Sequence, residues 1–351
     1  MRVSPWWLVV WLGCADKGGS DSASGDAGVA DGGAGDGGVA DGGGSDGDRP
    51  EGQYFPDGSA WYEDSSAAAV DPRSDAVIDW LNGQGWGLGR FQIDFSLVVV
   101  AADASTTRLE FTPTDDFYSP DCDRDPVPVP GDAVIEGETG TACASDGDCH
   151  LLVAEWETGL LYEMWRADIR GDTFRGGCLA VWDMNHSYGP DGRGDQCTSA
   201  DAAGYPIAPL APTADQVASG DIGHALRFIL PNESIRAGEF VHPATHSTGS
   251  ASGGPDAPPY GAHLRLRADF DLASLPNEAS RTVARALQTY GMFLADGGNV
   301  ALTFQADTFS TAKWADLMES RDLEDIRPSD FELLELPDSI ALTYDCVRVA
   351  R

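Results

Sequence analysis

Lysine is nearly missing from this 351-residue chain: only Lys17 and Lys313 stand among its 22 cations. Against 57 carboxylates, the cations leave a formal charge of −35. Three cations and nine carboxylates lie in the first 52 residues, so −29 of that charge belongs to the remainder. Such a field repels phosphate backbones and anionic headgroups, which excludes nucleic acid as a partner and any basic surface for lipid docking. Long apolar runs are lacking too. The stretch Trp6 to Leu12 is far too short to span a bilayer as a mature helix. Histidine is scarce: none of the six falls in the first 149 residues or the last 88. No two cysteines have the two-to-four-residue spacing of a structural zinc site. The Gly-x-Ser-x-Gly of Gly43 to Gly47, about Ser45, lies in a glycine run where no strand-turn-helix can build a nucleophile elbow.

What is present divides the chain in three. Arg2, the short apolar run and Leu12-Gly13-Cys14 resemble a bacterial lipoprotein signal, with residues 1–13 removed and Cys14 lipidated. Residues 14–52 read as a disordered linker. Asp recurs every five residues from Asp16 to Asp46 with mostly Gly, Ala and Ser between, so there is almost nothing to bury against the entropy of ordering. Residues 53–351 have globular composition, without a second boundary. Beyond Cys14 the cysteine count is even: Cys122, Cys143, Cys149, Cys178, Cys197 and Cys346. In an exported protein these read as disulfides. Cys143–Cys149 is the expected local bridge, over the turn residues Asp146-Gly147. Cys178–Cys197 and Cys122–Cys346 are the expected remainder.

Hydrophobic periodicity predicts a mainly β domain, a single large antiparallel β-sandwich with a few short helices. Strands are expected at Phe91–Val100, Thr107–Phe111, Leu151–Glu155, Leu160–Trp165, Leu179–Asp183, Ala225–Leu230, Leu264–Phe270 and Val300–Gln305. The alternation His263-Leu264-Arg265-Leu266 puts the leucines on a core face. Helices are expected over Ser74–Leu81 and Asn277–Tyr290, with a weaker one over Thr311–Glu319.

Several stretches together resemble a family of secreted bacterial proteins of uncharacterised activity. They include Leu161-Tyr162-Glu163, Thr198 to Ile207 (TSADAAGYPI), His224 to Phe228 (HALRF), Pro243 to His246 (PATH), and Ala295-Asp296-Gly297. The resemblance covers most of residues 55–300. It implies one extracellular domain and marks positions, and it carries no activity.

Carboxylates and imidazoles supply the candidate chemistry. Two carboxyl groups of opposite protonation state, set across a cleft, would cleave a glycosidic bond. A histidine base with a cation beside it would serve a uronate lyase. The candidates are Glu163, Asp183, His224, His246 and Asp296, with Arg265 orienting a sugar and Trp165 as a stacking platform. His242 and His246 have a metal-like spacing, but no glutamate follows the first and a Ser/Gly loop follows the second. Asp115, Asp116, Asp121, Asp123 and Asp125, like Asp146 and Asp148, sit in loops of the kind that bind calcium, or are simply solvated. Thr198-Ser199-Ala200-Asp201 reads as a cap or turn. The sequence thus points to a tethered envelope lipoprotein, exported to the periplasmic or extracellular face. It is either carbohydrate-active on a polysaccharide or a non-catalytic binding or scaffold module, and whether it is an enzyme stays open at this level.

Overall fold

The computed structural model describes residues 49–349. The signal, Cys14 and the linker up to residue 48 lie outside the described residues. The chain is already anchored at Arg49, inside the stretch read as linker. Its guanidinium donates to the carbonyls of Tyr54 and Met184 and to Asn185 Oδ1.

The fold is mainly β: among the described residues 17 strands form five sheets, with few short helices between them. Two sheets organise it. The larger has six strands, in the order Ile93–Leu97, Leu302–Gln305, Leu226–Leu230, Met292–Gly297, His263–Leu266 and Phe331–Leu333. The smaller has four, in the order Cys178–Asp183, Leu160–Trp165, Leu151–Glu155 and Val99–Ala102. The run expected as one strand over Phe91–Val100 is two, and it crosses from the larger sheet to the smaller at Val98. Pairing is mixed rather than purely antiparallel. Ile93–Leu97 lies parallel to Leu302–Gln305, Leu226–Leu230 to Met292–Gly297, and Val99–Ala102 to Leu151–Glu155.

Local chemistry explains the best-read elements. Leu264 and Leu266 are fully buried, as their alternation requires. The hairpin joining Leu151–Glu155 to Leu160–Trp165 turns through Gly159 at φ +70°, a left-handed conformation that suits glycine. The long helix spans Glu278–Thr289, and Asn277 Oδ1 caps it by accepting from Ser280 N at 2.8 Å. The first helix spans Ser74–Gln84, while the weak candidate shrinks to Trp314–Leu317. The strand Met292–Gly297 follows the long helix directly and was not expected. Met292, Phe293, Leu294 and Ala295 are all buried, so both faces of the strand are covered and the run is apolar without alternation.

Three disulfides form, which indicates an oxidising, extracytoplasmic compartment. Cys143–Cys149 is as expected. The other two pairings are corrected: the bonds are Cys122–Cys178 and Cys197–Cys346. Asp123 bridges to Leu179 through the backbone, which sets Cys122 beside Cys178 at a sheet edge. Gln196 holds the chain end by accepting from Thr343 N and Tyr344 N and donating to Ala341 O, so Cys346 returns to Cys197. Among the described residues, no helix is long and apolar enough to cross a membrane.

Candidate functional site

The site begins with an arginine in an apolar strand. In Leu226–Leu230 the residues Leu226, Phe228 and Leu230 are fully buried in the core, Phe228 edge-on to Trp86 at 6.3 Å. Alternation sends Arg227 to the opposite face, where it is only 3% exposed. A guanidinium so buried needs a carboxylate. Asp201, itself fully buried, supplies it: Oδ1 lies 2.9 Å from Nη2 and Oδ2 lies 3.3 Å from Nε. Arg227 Nη1 also donates to Thr303 Oγ1 on the neighbouring strand.

Asp201 is delivered by the loop from Thr198 to Tyr205. Ser199 Oγ accepts from Asp201 N at 3.0 Å and donates to Tyr205 O at 2.6 Å, so the turn reading of this stretch holds. Gly204, at φ +83°, lets the loop close against the chain bearing His246. A Cβ there would stand 2.0 Å from Thr245 Oγ1.

The loop docks on a β-bulge. Phe228 pairs with Leu294 but Ile229 pairs with Asp296, so two residues of one strand oppose one of its neighbour. The extra residue shifts the phase and re-aims the side chains that follow, as bulges beside binding sites do. The bulge residue Ala295 accepts from Ala203 N at 2.8 Å. Asp201 and Asp296 are thereby brought together beneath Arg227. Asp296 Oδ2 lies 3.8 Å from Arg227 Nη2, and Oδ1 accepts from its own neighbour Gly297 N at 2.7 Å. Burial first, and then the charge of Asp201, raises the Asp296 carboxyl well above the ordinary range; Arg227 opposes this without prevailing. Asp201 is thus held by the arginine, and beside it stands Asp296, a carboxyl that its surroundings make harder to ionise.

Asp296 keeps 24% of its side chain exposed and lines a cavity of about 160 Å³. Trp165, Tyr118, Asp148, His246 and Thr248 line it too. Trp165 Nε1 donates to Asp148 Oδ1 at 3.0 Å, fixing the indole and one carboxylate oxygen together. His246 Nδ1 lies 2.9 Å from Ala202 O and so carries the proton that bonds it, which leaves Nε2 as a lone-pair acceptor. Burial depresses the His246 imidazole and keeps it neutral. The cavity therefore offers a proton donor, an exposed carboxylate, a neutral imidazole and an aromatic plane.

Of the residues singled out from sequence, the structure gathers three here: Asp296, His246 and Trp165. The others lie elsewhere. Glu163 is fully buried and clamps the 198–212 segment to the smaller sheet. Its carboxylate accepts from Ile207 N, Ala208 N and Trp182 Nε1 at 2.8, 2.9 and 3.1 Å. Burial pushes it up to about 7, and those donors restrain the rise. Asp183 ends its strand and accepts from Asn185 N at 2.8 Å. His224 is buried with Nδ1 2.8 Å from Ala225 O, and burial pushes it down to about 4. Arg265 is taken up by Glu332 at 2.6 Å and by the carbonyls of Ser65 and Ala68. It does not reach the cavity.

Asp201, Arg227, Asp148, Tyr118 and Thr248 were not singled out as catalytic from sequence. One signal was available: an arginine between Leu226 and Phe228 in a buried strand implies a distant carboxylate.

The metal readings find little support in the geometry. His242 Nε2 lies 2.8 Å from Asp195 Oδ1, while His246 turns to Ala202, so the two imidazoles serve different partners. Asp123 is engaged by Arg193 and Arg348, Asp121 accepts from Thr198 N, and Arg166 pairs with Asp146. The cluster of Glu138, Cys143 and Cys149 has its two sulfurs joined in a disulfide, which leaves them no thiolate to offer. Compared with known proteins, the chain matches no family model, no curated protein and no solved structure.

Proposed function

We propose that this protein is a glycoside-cleaving envelope lipoprotein, tethered through a lipid on Cys14, that works on a polysaccharide at the cavity of Asp296. The supporting observation is the pair of neighbouring carboxyls, Asp201 bonded to Arg227 and Asp296 at the cavity wall, raised well above the ordinary range by burial and by Asp201. A carboxyl kept protonated near neutral pH is what a general acid for glycoside cleavage requires.

In this reading the sugar ring stacks on Trp165. Asp296 gives its proton to the leaving glycosidic oxygen as the bond to the anomeric carbon breaks. Asp148 takes a proton from the water that attacks that carbon, and the products are two shorter glycans, one with a new reducing end. Asp201 and Arg227 touch no substrate and act as positioning residues. The uronate-lyase alternative is not carried forward, because Arg265 is committed to Glu332 and Arg227 to Asp201.

The test is incubation of the full chain with a polysaccharide panel and an assay for new reducing ends. Product with wild type, lost by at least ~100-fold in Asp296→Asn at unchanged fold, supports the reading. Binding without product in wild type sinks it and leaves a non-catalytic binding module.

A further inference from the structure

Backbone strain marks the rim of this cavity. Among the described residues, five that are not glycine adopt a left-handed φ: Asp146, Cys149, Arg166, Gln196 and Tyr344. All five border the cavity. Asp146 and Cys149 flank Asp148, Arg166 follows Trp165, and Gln196 lies just before Thr198. Tyr344 meets the His246 ring edge-on at 5.9 Å. Left-handed backbone is uncommon for any side chain and an outlier for one as bulky as tyrosine. Such conformations persist where the surrounding fold over-determines them, and they gather at active sites and ligand clamps.

Tyr344 is 54% exposed, so burial of its ring offsets little of that strain. It is nevertheless firmly held. Gln196 Oε1 accepts from Thr343 N and Tyr344 N at 2.7 and 3.3 Å, and nearby Cys346 is bonded to Cys197. The ring reaches from His246 toward Gly249, where a Cβ would stand 2.9 Å from the tyrosine hydroxyl oxygen. Trp165 belongs to a different segment that is fixed in the same manner. Arg166 N donates to Asp148 O at 2.8 Å, beside the Cys143–Cys149 bond. Each of the two rings is thus carried by a strained segment pinned next to a disulfide.

The cavity, at about 160 Å³, suits one sugar ring, and a polysaccharide must continue beyond it. The next unit then needs support outside the cavity. A half-exposed aromatic ring offers an apolar face for stacking and a polar tip. We propose that Tyr344 is a second sugar platform, carrying the unit next to the one in the cavity, so that the site takes contiguous units of a glycan. This rests on the glycoside reading of the same cavity and names the length of substrate it binds.

The experiment measures binding against chain length, so that it is separable from cleavage. The full chain is titrated by calorimetry with cello-, chito- and xylo-oligosaccharides, each as the disaccharide and the tetramer. In at least one series the tetramer is expected to bind at least ~5-fold tighter than the disaccharide. Tyr344→Gly, which suits the left-handed backbone, is expected to lose that ~5-fold gain and keep the disaccharide affinity. Tyr344→Phe, which keeps the ring face, is expected to retain both. A Tyr344→Gly variant that keeps the gain overturns the proposal, even if wild type cleaves the tetramer. So does a variant weakened equally at both lengths, since Tyr344 would then act only by shaping the cavity through His246. Wild-type affinity independent of length in all three series overturns it as well. A gain lost in Tyr344→Gly without cleavage by wild type upholds the platform while ending the hydrolase reading.

Discussion

Replacing Asp201 by Asn removes the carboxylate that meets Arg227 while keeping the side chain's shape. The guanidinium is 3% exposed, so it cannot turn to solvent. Removing one partner of a buried pair costs ~3–5 kcal/mol, because the other charge is left uncompensated. Here part of that cost is returned. Asp296 Oδ2 is 3.8 Å from Arg227 Nη2, and without Asp201 beside it Asp296 ionises and takes over the pairing. A loss of about 3 kcal/mol is therefore expected for Asp201→Asn. Asp296→Asn replaces a carboxyl already hard to ionise by an amide of the same shape and should cost under ~1 kcal/mol. The double variant leaves Arg227 without either carboxylate, so its loss should exceed the sum of the singles by ~1–2 kcal/mol. Urea unfolding at pH 7 with disulfides intact measures all four corners of the cycle. If Asp296→Asn costs as much as Asp201→Asn, or if the losses simply add, Asp201 is not the principal partner of Arg227 with Asp296 as its reserve.

Glu163→Gln offers a test through pH. The native carboxyl, pushed up to about 7 from 4.5, binds more protons than the unfolded one between those values, so native stability falls as pH rises across that window. The drop amounts to about 3 kcal/mol. The amide cannot titrate, and its NH₂ faces a donor, so the variant should be the less stable at pH 5 and the gap should narrow by pH 8. A gap that stays constant or widens contradicts the account. Gly204→Ala combines a left-handed φ of +83° with a Cβ set 2.0 Å from Thr245 Oγ1. Thermal unfolding should show a loss of ~2–4 kcal/mol, and a neutral substitution would mean the Asp201 loop is looser than described.

The elements most legible in the sequence were those whose signals are local. His263-Leu264-Arg265-Leu266 announces a strand by alternation, and Asn277 before an apolar stripe announces a helix. The strand that carries Asp296 gave no such signal, since buried on both sides it has no polar face to alternate with. Two of the three disulfide pairings failed for a related reason. Cys178 and Cys197 are close in sequence, but partners are chosen by which strands and chain ends lie side by side. Asp296 and His246 were legible as positions, whereas Asp201 was not legible as a partner: it meets Asp296 only because a β-bulge and a tight loop bring two distant segments together. Glu163 shows the opposite error. An acidic residue in a strand, two residues before Trp165, was a catalytic candidate, and three N–H donors hold it as a clamp.

The protonation state of Asp296 can be read directly from the carboxyl-carbon NMR signals of aspartate-labelled protein, with Asp296→Asn identifying its resonance. The resonance is predicted to titrate at clearly higher pH than those of the exposed aspartates. A carboxyl carbon at position 296 that titrates together with them would contradict the account.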